Sequence, residues 1–116
     1  HELAALFAAH GPVAGCGLDD LGGERFDVVL NATSATLAGQ SLAVPASVFA
    51  GAALAYELAY GKGLTPFLQV ARAGGAQRLV DGVGMLVEQA AEAWLWWRGV
   101  RPPTRAAIDA LTIPLT

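Results

Sequence analysis

The order of apolar runs and helical spacings predicts an α/β fold: part of a doubly wound parallel sheet with flanking helices and further helices appended after it. Three observations carry this. The run 26–30, Phe-Asp-Val-Val-Leu, is nearly continuous rather than alternating, the pattern of a strand covered on both faces in a parallel sheet. Thr65-Pro66-Phe67 sets a capping threonine and a proline at the start of a helical pattern that stops before Gly74-Gly75. Residues 83–97 then run at helical spacing up to Arg98 and Gly99.

In chain order, residues 2–9 place Leu3, Leu6 and Phe7 on one helical face, and Gly11 with Pro12 end that helix. Residues 13–18, an apolar run with two glycines, read as a first strand, within which Cys16 is a small core residue. The run 26–30, bounded by Gly22, Gly23 and Asn31, is the second strand. Residues 41–49, with Pro45, read as irregular chain with at most one helical turn, and residues 52–60 as a third strand that its alanines weaken. After the helix that starts at Thr65, residues 77–81 form a short fourth strand. The helix 83–97 follows, and Pro102 with Pro103 opens a last short one near Thr104.

Composition narrows function by exclusion. Of 116 residues 54% are apolar and 15% charged, enough for one core. Seven basic against ten acidic side chains leave a net charge of −3, the opposite of a nucleic-acid footprint and unfavourable for anionic lipid. One cysteine makes no internal disulfide, and with two histidines it falls short of a zinc set, so a reducing, cytoplasmic setting and no metal are expected. Mean hydropathy is +0.46, and no charge occurs from Val28 to Tyr56. Asn31, Thr33, Ser34, Thr36, Gln40, Ser41, Pro45 and Ser47 nevertheless interrupt that stretch, which argues against a membrane span. The chain opens on His1 without the pattern of a signal peptide, as expected of a segment of something longer.

In parallel α/β sheets ligands sit beyond the carboxyl ends of the strands. That rule selects Asn31, Thr33 and Ser34 after the second strand, Tyr60 at the end of the third, and Asp81 with Gly82 at the end of the fourth. Each has a plainer reading beside it. Short polar side chains favour turns for local reasons, and Gly82 with Gly84 suits a strand-to-helix turn whether or not a ligand approaches. A phenol beside Gly61 is either an amphipathic surface group or a ligand donor. Gln89 lies between Met85 and Trp96 on an apolar side of its helix, while Glu88 and Glu92 mark a solvated side. It is either a core-edge amide satisfied by backbone or a hydrogen-bonding group aimed at a polyol or carboxylate. Trp94, Trp96 and Trp97 read as core or interdomain packing.

Catalytic residues are scarce. Gly15-Cys16-Gly17 meets Asp20 where a phosphate-cradling loop needs its third glycine. Lys62, the only lysine, stands between two glycines in an exposed loop. His10 suits a helix end, Asp19-Asp20 a solvated turn, and spacing supplies no nucleophile with its base.

Several stretches, taken together in order and spacing, resemble the C-terminal part of the shikimate dehydrogenase family. They are Phe26-Asp-Val-Val-Leu-Asn-Ala-Thr-Ser34, Tyr56-Glu-Leu-Ala-Tyr60, Thr65-Pro66-Phe67-Leu68, Gly75-Ala76, and Asp81-Gly-Val-Gly-Met-Leu-Val-Glu-Gln89 leading into Ala90-Ala91 and Trp96. The resemblance covers nearly the whole chain. It implies an NADP-dependent oxidoreductase that reduces 3-dehydroshikimate to shikimate in aromatic amino acid biosynthesis. Residues 1–82 would be the latter portion of a Rossmann-like NADP-binding domain, and residues 83–112 its C-terminal helices. Tyr60 and Gln89 match the substrate-binding positions, Leu58 and Gly82 line the nicotinamide end of the cofactor, and Asn31, Thr33 and Ser34 form the loop beside it.

The chain departs from the family where Tyr-Glu-Leu replaces the common Tyr-Asp-Met, where Thr36 replaces a glycine, and where Gln40 replaces an acidic residue. The resemblance also implies that the catalytic lysine and aspartate, the glycine-rich loop and the 2′-phosphate motif lie upstream. No catalytic residue is then expected in this chain, which alone would be inactive. Its expected partners are shikimate or 3-dehydroshikimate and a missing N-terminal half, and the truncated sheet invites self-association. A broader quinate and shikimate dehydrogenase, or a noncatalytic binding or complementing piece, are the alternatives.

Overall fold

The computed structural model describes residues 2–116. Helix α1 (Glu2–Phe7) runs into a 3-10 turn at Ala8–His10, and a second such turn occupies Leu18–Leu21. Strand β1 (Val28–Asn31), a 3-10 turn (Ala46–Phe49), β2 (Leu54–Glu57), α2 (Pro66–Ala73), β3 (Leu79–Val80), α3 (Val83–Arg98) and α4 (Arg105–Leu111) follow. The three strands form a parallel sheet in the order β1-β2-β3. Val28 stands opposite Leu54 and Asn31 opposite Glu57, while Ala55 and Tyr56 stand opposite Leu79 and Val80.

Partners in register project to the same side of a sheet, so Val29, Ala55 and Leu79 share one face and Val28, Leu30, Leu54 and Tyr56 the other. The first face is covered. Helix α2 turns Phe67, Leu68 and Ala71 onto it, and Val48 and Phe49 from the Ala46–Phe49 turn complete the core. Phe49 and Phe67 meet edge to face, with ring centroids 5.5 Å apart. Full burial of side chains such as Phe49 and Leu68 stabilises by about 1.5–3 kcal/mol each.

Local chemistry sets the ends of α2. The Thr65 hydroxyl accepts from the Leu68 amide at 3.3 Å, and Pro66 occupies the first turn, where its missing N–H has no partner to lose. At the other end a Cβ on Gly74 would lie 2.4 Å from the Ala46 carbonyl oxygen, so the helix can rest on the Ala46–Phe49 turn only without a side chain there.

The second face is open: Val28 is 50% and Leu30 60% exposed. The expectation that residues 26–30 form a strand covered on both faces is therefore corrected. Among the described residues no second helical layer packs there, although the run is composed for one. The expected strand at 13–18 is also absent, and Cys16 is exposed rather than core. A strand persists only where a neighbour takes its ladder hydrogen bonds, and two glycines within the run make it costly to order alone. Helix α1 forms, but Leu3 and Leu6 face solvent because among the described residues nothing covers their stripe.

Helix α3 holds α4 through a polar clasp. Arg101 pairs with Glu88 and Glu92, and the Thr104 hydroxyl donates to Glu88 at 2.7 Å. The side expected to be simply solvated thus carries the chain's return path. Among the described residues no helix is long and apolar enough to cross a membrane.

Candidate functional site

The carboxyl ends of β1 and β2 open into a cavity of about 510 Å³. One wall is the loop after β1, with Ala32, Thr33, Ser34 and Leu37; the other is the turn after β2, with Leu58, Ala59, Tyr60 and Lys62. Four residues selected from sequence, Thr33, Ser34, Leu58 and Tyr60, are therefore brought together. Lys62 joins them, exposed as its glycine-flanked loop predicts but at the edge of the cavity.

The loop wall is held from below. Asn31 is 2% exposed, and its amide Nδ2 donates to both oxygens of Glu57 at 3.1 Å. Its Oδ1 accepts from the Thr33 amide at 3.1 Å and from the Thr33 hydroxyl at 2.8 Å. Thr33 Oγ1 then accepts from the Ala35 amide at 3.3 Å, which closes the turn. The polar atoms of Asn31 are thus engaged with protein, whereas Thr33 and Ser34 lie at the surface.

Glu57, fully buried, is the other anchor. Besides Asn31 it accepts from the Thr36 hydroxyl at 2.9 Å, from the Thr65 hydroxyl at 3.1 Å and, more weakly, from the Ala59 amide at 3.4 Å. Sequence reasoning noted Glu57 and Thr36 only as departures from a family pattern, and Thr65 only as a cap. The signal that finds them is an acidic residue closing one apolar strand with an asparagine closing its neighbour, in register.

Gly82 sits directly behind the β2 turn. Its amide donates to the Ala59 carbonyl at 3.1 Å, and a Cβ there would stand 2.0 Å from the Leu58 carbonyl oxygen. Glycine lets the start of α3 touch the backbone that presents Leu58. Asp81 is buried beside it, with one oxygen accepting from the Val83 amide at 3.2 Å.

Gln89 is not part of this cavity. It is exposed on α3, and its amide donates to the Leu86 carbonyl one turn back at 3.1 Å. Met85 and Trp96, which flank it in the helical projection, are exposed as well. The helix face is apolar as expected but uncovered. Trp96 and Trp97 are 84% and 77% exposed, so the core reading of these residues is corrected for this chain. Arg98 stacks over Trp94 at 5.6 Å.

Hydroxyls, a phenol and an ammonium surround an apolar floor at the carboxyl ends of parallel strands, the place where α/β proteins of Rossmann-like fold take their ligands. Comparison with known proteins is specific. The shikimate 5'-dehydrogenase C-terminal domain family matches residues 82–112. The shikimate dehydrogenase (NADP(+)) of Nitrosospira multiformis is 54% identical over 110 residues, which make up 95% of this chain and 40% of the relative. The crystal structure of an Ael1 enzyme from Pseudomonas putida superposes with a TM-score of 0.81 at 66% identity, covering 85% of this chain and 36% of that one. A shikimate dehydrogenase solved in complex with NADP+ gives a TM-score of 0.60 at 31% identity, covering 84% and 36%. Over about 95% of its length the chain is similar to shikimate dehydrogenases, and residues 82–112 match that family's C-terminal domain. It spans about two-fifths of the length of the curated relatives it matches.

Proposed function

We propose that this chain forms the cofactor- and substrate-facing wall of an NADP-dependent shikimate dehydrogenase, which reduces 3-dehydroshikimate to shikimate in aromatic amino acid biosynthesis. The observation that carries the reading is the strand-end cavity uniting Thr33, Ser34, Leu58 and Tyr60. Its donor set suits the nicotinamide end of NADP. Leu58, Ala59, Leu37 and Ala32 offer an apolar floor for a ring, and the Ser34 hydroxyl at the rim suits a ribose. NADPH, when bound, supplies the hydride that reduces the substrate carbonyl.

This chain's residues bind and orient. Leu58, fixed from behind by Gly82, forms the apolar contact, and Thr33 with Ser34 shapes the loop that Asn31 anchors. Tyr60 donates its phenol to a substrate hydroxyl or carboxylate, and Gln89, on α3 outside this cavity, is the second proposed substrate contact. Lys62 contributes positive charge at the rim, toward an anionic ligand. None of these is placed as general acid or base, and the resemblance assigns proton transfer to a lysine and an aspartate outside this chain.

The test is NADP+ reduction with shikimate by the intact gene product and by the 116-residue chain alone. Activity in the first and silence in the second is expected, and an intact product inactive with shikimate and NADP+ would remove the reading. Quinate in the same assay decides the broader-range alternative. Tyr60→Phe should raise KM for shikimate about tenfold, the loss of one hydrogen bond.

The open face and free edge of β1, with Val28 and Leu30 exposed, support one further reading, that the 116-residue chain alone self-associates. Sedimentation over a concentration series checks it, and a monomer at every concentration would count against it.

A further inference from the structure

We infer that Glu57 is the positioning residue of the cavity, a buried carboxylate from which both of its walls hang. The side chain is fully buried, and every group bonded to it donates: the Asn31 amide, the Thr36 and Thr65 hydroxyls and the Ala59 N–H. An acceptor-only carboxylate takes such a set, and no other side chain takes all of it. Burying a carboxylate is costly, and among the described residues no cation pairs with Glu57, so an apolar side chain would serve packing alone at less cost. What the carboxylate adds is geometry.

Two routes lead from it to the cavity. Through Asn31, whose Oδ1 holds the amide and hydroxyl of Thr33, and through Thr36, it fixes the loop wall. Through the Ala59 amide it fixes the turn that presents Leu58 and Tyr60. Thr65 joins both to the first turn of α2, because its hydroxyl donates to Glu57 while accepting from Leu68.

An amide replaces the carboxylate here only at a cost. The NH₂ of a glutamine would face the Asn31 amide and would need the Thr36 or Thr65 hydroxyl to turn from donor to acceptor. Asn31 turned to accept would lose the bond its Oδ1 takes from the Thr33 N–H. Glu57→Gln should therefore loosen both walls while leaving the apolar core beneath in place.

The kinetic part of this inference rests on the proposed function; the structural part does not. The experiment compares intact wild-type gene product with Glu57→Gln, Glu57→Asp and Thr36→Val, by amide hydrogen exchange and by steady-state kinetics with NADP+ and shikimate. In Glu57→Gln, exchange at residues 31–40 and 58–62 should rise about tenfold with α3 unchanged. KM for NADP+ should rise about tenfold with kcat within threefold, and Glu57→Asp, which keeps the acceptors, should recover part of the loss. Thr36→Val should give the same pattern at a few-fold, and it decides the matter if Glu57→Gln does not fold. Unchanged exchange in both segments, or exchange raised uniformly with α3 included and KM unaltered, would overturn the inference. A wild-type protein without shikimate dehydrogenase activity would remove the proposed function, while the exchange pattern would still decide the role of Glu57.

Discussion

Asn31 and Gln89 are both amides beside apolar residues, yet the chain treats them oppositely. Asn31 is buried and bonded on both polar atoms, to Glu57 on one side and Thr33 on the other. Gln89 is exposed and bonded only to a carbonyl of its own helix, between Met85 and Trp96, which are themselves exposed. The strand-end side of the site is set by contacts this chain makes with itself. Helix α3 presents the apolar face around Gln89 with nothing against it among the described residues. On the proposed function the two amides serve one site, half of it pre-organised, and substitutions at the two places should differ in whether they strike stability or binding.

The largest effect is expected where the strand-end side is tightest. Gly82→Ala forces a methyl against the Leu58 carbonyl, with 2.0 Å available, and should destabilise by about 3 kcal/mol in chemical denaturation. A loss below 1 kcal/mol would mean that the contact between the start of α3 and the β2 turn is slack. Thr65→Ala removes the cap of α2 and one donor to Glu57 together, and about 2 kcal/mol should be lost in the same measurement.

Gln89→Ala belongs to the other side. Stability should change by less than about 0.5 kcal/mol, while on the proposed function KM for shikimate in the intact gene product rises about tenfold. A stability loss without a change in KM would reverse the comparison for this residue.

The smallest effect concerns acid. Hydrogen bonds from Arg101 and Thr104 hold the Glu88 carboxyl below its ordinary value of 4.5. A carboxyl lowered in the folded state adds stability that is complete above the ordinary value and is lost as pH falls through the lowered one. Glu88→Gln should therefore show a slightly reduced Tm at neutral pH, and the difference from wild type should vanish in acid. A difference that grew toward low pH would contradict the clasp between α3 and α4.

Legibility followed the range of the interaction. The Thr65-Pro66 start of α2 and the span of α3 were readable because caps, prolines and helical periodicity act within a few residues. The apolar face around Gln89 was readable for the same reason. That it is uncovered was not, since periodicity reports a face and says nothing of what lies on it. The run 13–18 misled because apolar composition alone does not supply a neighbouring strand. Lys62 was judged from its flanking glycines, which carry no information about a wall formed by residues some thirty positions earlier.

From sequence alone came the α/β class, the order of β1, β2, α2, β3, α3 and α4, and the selection of Thr33, Ser34, Tyr60 and Gly82 at strand ends, with Leu58 added by the family resemblance. Only the tertiary structure decided that Asn31 supports the loop with its polar atoms turned to protein. It also revealed Glu57 as the common anchor, and that one face of the sheet is open while Gln89 stands apart from the cavity. Propensity and periodicity are properties of short stretches, whereas parallel register sets Asn31 against Glu57 across two strands and an intervening loop. No local pattern encodes which buried donors will find which buried acceptor; the packing of α2 and the sheet does.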